Sequence, residues 1–133
     1  AVDISGSVGQ DELQAFLSHL EKIRKGCLIS RISLVPFNST IQQHGIVEIS
    51  PKDKLPTNIG SGGGTAFAPI FHWLKRQRGR PNAIIVFTDL GSNRYGTAPN
   101  VPLLWASSDE VYSGTGWTNK PPFGDVVQID IHS

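Results

Sequence analysis

The apolar positions of this chain follow two periods. From Val8 to about Lys25, Leu13, Phe16, Leu17, Leu20 and Ile23 recur at spacings of three and four, which gathers them on one face of a helix. Asp11 and Glu12 fall in its first turn and Lys22, Arg24 and Lys25 in its last, the signs that the helix dipole favours, and Gly26 is placed to end it. A second helix is predicted from about Ala66 to Arg78, with Phe67, Ile70, Phe71 and Leu74 inward. Pro69 is compatible with it because it falls in the first turn, and Gly79 and Pro81 stop it. Short runs rich in Val, Ile, Leu and Phe lie around these helices. Residues 1–4 read as the end of a buried strand, and Cys27 to Phe37 as a second strand. Ile41 to Ile49 is a more polar third strand, paired antiparallel with the second across the short Asn38-Ser39-Thr40 connection. Ala83 to Phe87 is almost unbroken in its hydrophobicity, as a central strand covered on both faces should be. Val101 to Trp105 and Val126 to Ile131 complete the set, with loops over 51–56 and 107–124.

Strands alternating with helices predict an α/β fold: a doubly wound, mostly parallel central sheet with one antiparallel edge strand and helices on both faces. The 133 residues suffice for one domain with a real core. The strand pattern is already under way at Ala1, so the expectation is a single domain over 1–133 belonging to a longer protein. A net charge of +1 does not suit a dedicated nucleic-acid binder. The one basic run, Lys75-Arg76-Gln77-Arg78-Gly79-Arg80, is read as cations matching a helix C-terminus. Cys27 is the sole cysteine, which rules out an intrachain disulfide and suits a reducing, cytoplasmic setting. No apolar run approaches the ~20 residues of a membrane-spanning helix.

The chemistry concentrates where strands end. In Asp3-Ile4-Ser5-Gly6-Ser7 a carboxylate and two hydroxyls occupy alternate positions, so they leave an extended backbone on one side. Such hard oxygen donors suit Mg²⁺, Mn²⁺ or Ca²⁺ rather than a soft metal. Three groups do not complete an octahedron. Gly63-Gly64-Thr65, opening the second helix, and Thr88-Asp89, ending the central strand, supply the further candidates Thr65 and Asp89. In open α/β sheets ligands bind beyond the carboxyl ends of strands where the strand order reverses, and Asp3 and Asp89 each end a strand. Taken singly, each segment has a plainer reading: an Asp-x-Ser helix cap, a flexible loop and a turn aspartate.

In this order the three segments resemble the von Willebrand factor type A domain and its metal-ion-dependent adhesion site, with matches at Asp3, Ser5, Ser7, Thr65 and Asp89. The resemblance implies that Ser5 and Ser7 coordinate the ion directly, Thr65 directly or through water, and Asp3 and Asp89 mostly through water. Hydroxyl ligands leave the ion its charge and an open position, which a partner protein's Glu or Asp would take. The helix start at Thr65–Ala66 is expected to add backbone N–H groups favouring the same anion. Gly62 to Phe71, Phe87-Thr88-Asp89, Leu103-Leu104-Trp105 and Pro122-Phe123-Gly124 look like a bacterial subgroup in which such a domain closes predicted metallopeptidase-like proteins. Two departures stand out: Ala66 takes the place of an expected acid, and Leu90 separates Asp89 from the glycine that often follows it directly.

The function expected is therefore non-enzymatic: cation-dependent capture of an acidic protein side chain, with neither nucleic acid nor membrane as partner. The alternatives are an Mg²⁺-dependent hydrolase or phosphotransferase with Asp3 as nucleophile and Asp89 as metal ligand, and a supporting domain with a vestigial site. His19, His44, His72 and His132 are scattered, and no His-Glu-x-x-His run exists, so any peptidase chemistry of a parent protein lies outside these residues. No Gly-x-Ser-x-Gly elbow and no Gly-Lys-Ser/Thr phosphate loop is present either. Trp73 and Trp105 are read as packing residues, whereas Trp117, Tyr95 and Tyr112 lie in loops near the proposed site where a partner could touch them.

Overall fold

The computed structural model describes residues 1–26, 29, 31–108 and 121–129. Five strands make an all-parallel sheet: β1 (Val2–Asp3), β3 (Pro36–Phe37), β5 (Ile84–Thr88), β6 (Leu103–Ser107) and β7 (Asp125–Gln128). Their spatial order is β3-β1-β5-β6-β7. The chain leaves β1 towards β3 on one side and returns to β5 on the other, so the strand order reverses between β1 and β5.

The antiparallel pair forms a separate two-stranded sheet, β2 (Ile32–Leu34) with β4 (Val47–Ile49) in the register Ile32↔Ile49 and Leu34↔Val47. What reads as one strand up to Phe37 is thus split between two sheets, and Pro36 shows why. It has no N–H to carry a ladder forward. Val35 and Phe37 turn their carbonyls to β1, accepting from Val2 (2.9 Å) and Ile4 (2.8 Å), whereas the Pro36 carbonyl faces outward and accepts from Gln42 (2.9 Å). A single 3-10 turn, Gln43–Gly45, occupies part of the segment expected to be strand.

Helix α1 (Gln10–Gly26) buries Leu13, Phe16 and Leu20 against Val2, Ile4, Phe87, Ala106 and Ile129, with Leu17 and Ile23 partly buried beside them. Helix α2 (Ala68–Lys75) buries Ile70 and Phe71 against Val86, Leu103 and Trp105. Phe87 and Val86 are neighbours on one strand and point to opposite sides, as do Ala106 and Trp105, so the two helices cover opposite faces of the sheet. The second core is dominated by aromatic rings. Phe67 stacks on Tyr95 at 5.0 Å and meets Trp105 edge-on at 5.0 Å, and the Trp105 indole N–H donates to the Phe123 carbonyl at 2.8 Å. Tyr95, expected at the rim, is a buried member of this core. Trp117 and Tyr112 lie outside the described residues.

Helix α2 is shorter than the periodicity suggests. It ends at Lys75 with Arg76 as its cap, so only those two cations of the basic run sit at the helix end, while Arg78 and Arg80 lie exposed beyond it. The main core makes a direct test of the packing. Phe16 is wholly buried and its ring lies 5.7 Å from that of Phe87. In urea titrations Phe16→Ala should lose about 3–5 kcal/mol, whereas Val127→Thr, at 43% exposed on strand β7, should stay within about 0.5 kcal/mol of wild type.

Candidate metal centre

Asp3 ends β1 and is 0% exposed. Its Oδ1 accepts the Ser5 N–H at 2.9 Å, closing an Asx turn, and its Oδ2 accepts the Thr88 hydroxyl at 2.7 Å from the end of β5. Asp3 is therefore not a helix cap, since α1 begins only at Gln10. The Asx turn bends the chain so that Ser5 and Ser7 come together, their Oγ atoms 3.4 Å apart, with Ser5 buried and Ser7 exposed. Val8 donates back to the Ser5 carbonyl at 3.0 Å, which completes the turn into α1.

Asp89 follows β5 and is half-buried, its Oδ1 accepting the Gly91 N–H at 3.0 Å. A Cβ placed on Gly91 would lie 3.0 Å from that same Oδ1 and 3.5 Å from Ser7 Oγ. Asp89 and Ser7, more than eighty residues apart in sequence, thus border one small space. Burial pushes the Asp3 carboxyl above the ordinary aspartate range. Hydrogen bonds from Ser5 and Thr88 oppose that rise, and the negative charge of Asp89 adds to it. Neither acid has an ion-pair partner among the described residues.

The third segment arrives through its backbone. Gly6 N–H donates to the Gly63 carbonyl at 2.8 Å and Gly62 N–H to the Ile4 carbonyl at 2.8 Å, which strap the glycine-rich loop across the β1 turn. Asn38, read from sequence only as part of a short connection, is the strut that holds this loop. Its Nδ2 donates to the Gly62 carbonyl at 3.1 Å and its own carbonyl accepts the Ala66 N–H at 3.1 Å. Gly63 has a φ of +91° and a Cβ there would lie 2.7 Å from Asn38 Nδ2, so this point of the loop admits glycine alone. Thr65 follows, half-buried.

Two expectations about this segment need correction. The helix opens not at Thr65 but at Ala68, with Phe67 as its cap. Nor do N–H groups at 66–68 await an anion. Ala66 donates to Asn38, Phe67 and Ala68 both donate to the Arg94 carbonyl at 2.9 Å, and Pro69 has no N–H. Ala66 is itself buried, so the acid expected there would have stood in the core. A further contact at the crevice escaped the sequence. Glu12 accepts the Ser108 hydroxyl at 2.5 Å and the Gly9 N–H at 3.3 Å, tying the start of α1 to the end of β6. The only signal for it was a glutamate three residues into a helix, at the capping-box position.

A mostly parallel α/β sheet whose strand order reverses between β1 and β5 is consistent with a VWA-like fold. The family model described as VWA-like domain (DUF2201) matches residues 1–130, and the chain belongs to that family. No curated protein matches the chain, and no solved structure does. No helix among the described residues is long and apolar enough to cross a membrane.

The raised Asp3 carboxyl has a consequence for the metal-free protein. A carboxyl that ionises less readily folded than unfolded stabilises the fold below its unfolded value, near 3.8, and that contribution is lost as pH rises through the elevated folded value. In EDTA, the stability of wild type measured against Asp3→Asn should therefore fall as pH rises from about 4 towards neutrality. A difference that stays flat over that range would contradict the assignment.

Proposed function

We propose that this domain is a divalent-cation-dependent interaction module that captures an acidic side chain of a partner protein. A VWA-like domain is in general an interaction module. The cation dependence is drawn from one observation, the meeting of the Ser5 and Ser7 hydroxyls with Asp89 and the buried Asp3 at the β1/β5 crevice.

The residues fit such an ion. All are hard oxygen donors, and two adjacent ligands of an octahedral Mg²⁺ stand about 3 Å apart; the serine hydroxyls, at 3.4 Å, need little adjustment. Ser5 and Ser7 would hold the ion directly, with Thr65 completing the hydroxyl set. Asp3 and Asp89 would hold its water ligands and supply negative charge. Mg²⁺ is the preferred occupant, with Mn²⁺ or Ca²⁺ as substitutes. When bound, the cation supplies an electrophilic position that a Glu or Asp carboxylate completes. The chain's own contribution is to keep the hydroxyls together and the two acids close, neither of them ion-paired among the described residues.

The hydrolase alternative fares worse. Asp3 is fully buried and both of its oxygens already accept hydrogen bonds, so it has no open approach to an incoming phosphorus or carbonyl centre. If the parent protein is the bacterial metallopeptidase-like protein that the resemblance suggests, its chemistry resides in other segments and this domain recruits or positions a partner.

Calorimetric titration of Mn²⁺ into wild type, Asp3→Ala and Ser5→Ala tests the proposal. Wild type should bind one ion and each variant should bind at least tenfold more weakly. Saturating Mg²⁺ should also raise the melting temperature over that in EDTA, a hundredfold excess over Kd contributing about 2.7 kcal/mol. Equal, negligible binding by all three proteins and unchanged melting would dismiss the cation.

A further inference from the structure

We infer that Leu90 is a positioning residue for the proposed cation site, holding a left-handed backbone turn that sets Asp89 beside Ser7. The inference rests on the cation-binding reading. Leu90 has a φ of +56° and is the only non-glycine residue with positive φ among the described residues. That region crowds the Cβ of a leucine and favours glycine. A leucine stays there only if its surroundings hold it, and two contacts do so. Its side chain is 0% exposed, within the apolar cluster that includes Phe67, Tyr95 and Trp105. Its N–H donates to Thr88 Oγ1 at 3.0 Å, the same oxygen whose hydrogen is given to Asp3.

The turn has two results at the site. It folds the Gly91 N–H back onto Asp89 Oδ1, and it brings Gly91 alongside Ser7 Oγ. The apolar cluster that contains Leu90 also holds Phe67, two residues beyond Thr65, so the Asp89 and Thr65 segments pack on one core while the left-handed backbone itself aims Asp89. Where the family resemblance implies a glycine directly after Asp89, this chain has a leucine that adopts a glycine's conformation.

Packing and backbone roles separate experimentally. Leu90→Gly and Leu90→Ala both remove the anchoring side chain, but only glycine keeps the left-handed turn without steric cost. Mn²⁺ affinity is measured by calorimetry on wild type and both variants, and Gly91 amide exchange is followed in the metal-free proteins. Both variants should melt at lower temperature than wild type. Leu90→Gly should keep its Mn²⁺ affinity within threefold and its Gly91 amide protected. Leu90→Ala should lose at least fivefold in affinity and expose that amide. If both variants lose affinity equally, or neither loses any, the positioning role is overturned while the cation reading stands. A wild type that binds no Mn²⁺ overturns both. Should Leu90→Ala fail to fold at 25 °C, Leu90→Val replaces it: valine keeps an apolar side chain but its β-branch disfavours the left-handed region, so a fivefold loss relative to Leu90→Gly supports the role and retention of affinity overturns it.

Discussion

The hydrogen bond from the Thr88 hydroxyl to Asp3 Oδ2 joins the ends of two strands whose residues are 85 positions apart. A fully buried carboxylate is tolerated only if its oxygens are met, and leaving one unmet costs about 1–3 kcal/mol or more. Here one oxygen is met locally by Ser5 and the other by the neighbouring strand. The hydroxyl of Thr88 has a single proton. Giving it to Asp3 leaves its lone pairs free to accept the Leu90 N–H, so one side chain fixes the direction of both strand exits. The crevice between β1 and β5 takes its shape from that relay, and the serine turn, Asp89 and the strapped glycine loop are arranged around it.

The electrostatic state of this crevice follows from its position. Burial pushes the Asp3 carboxyl upward, and the nearby negative charge of Asp89 adds a smaller push in the same direction. Among the described residues no lysine or arginine pairs with either acid. Structural acids in cores are ordinarily neutralised by an ion pair or by a full set of donors. Here both Asp3 oxygens are met by donors, Asp89 accepts from Gly91, and the Ser5 and Ser7 hydroxyls lie alongside; under the proposed function a small hard cation there would offset the pair's negative charge. Hydroxyl ligands, moreover, would leave such an ion more strongly charged towards an incoming carboxylate than carboxylate ligands could.

Much of this was legible in the sequence. The unbroken Ile84-Ile85-Val86-Phe87 run marked a strand in the interior of the sheet. The alternation read into Asp3, Ser5 and Ser7 does not hold, because β1 stops at Asp3 and an Asx turn, not an extended backbone, brings the two hydroxyls together. The 3–4 spacing of Leu13, Phe16 and Leu20 found the buried face of α1. Local pattern failed where distant contacts decide. Asn38 looks like any turn residue, because its partners Gly62 and Ala66 lie more than twenty residues downstream. Tyr95 sits in a polar stretch, and only the proximity of Phe67 and Trp105 draws it inside. The hydrophobic run ending at Phe37 gave no sign of being shared between two sheets, since burial alone does not say which neighbour a backbone addresses. Thr65 suggested a helix start because a glycine run precedes it. The Arg94 carbonyl, by accepting from both Phe67 and Ala68, instead holds those residues at the entry to a helix that opens only at Ala68.

Pro36 bears on more than the course of its own chain. Strand β3 is the outermost of the sheet on its side, and an outermost strand ordinarily offers a row of donors and acceptors to any passing polypeptide. Here the outward carbonyl of Pro36 is taken by Gln42, its ring nitrogen has nothing to donate, and Phe37 is bridged by Ile41. That margin of the sheet is closed by the chain itself, which guards β3 against edge-to-edge pairing with another polypeptide.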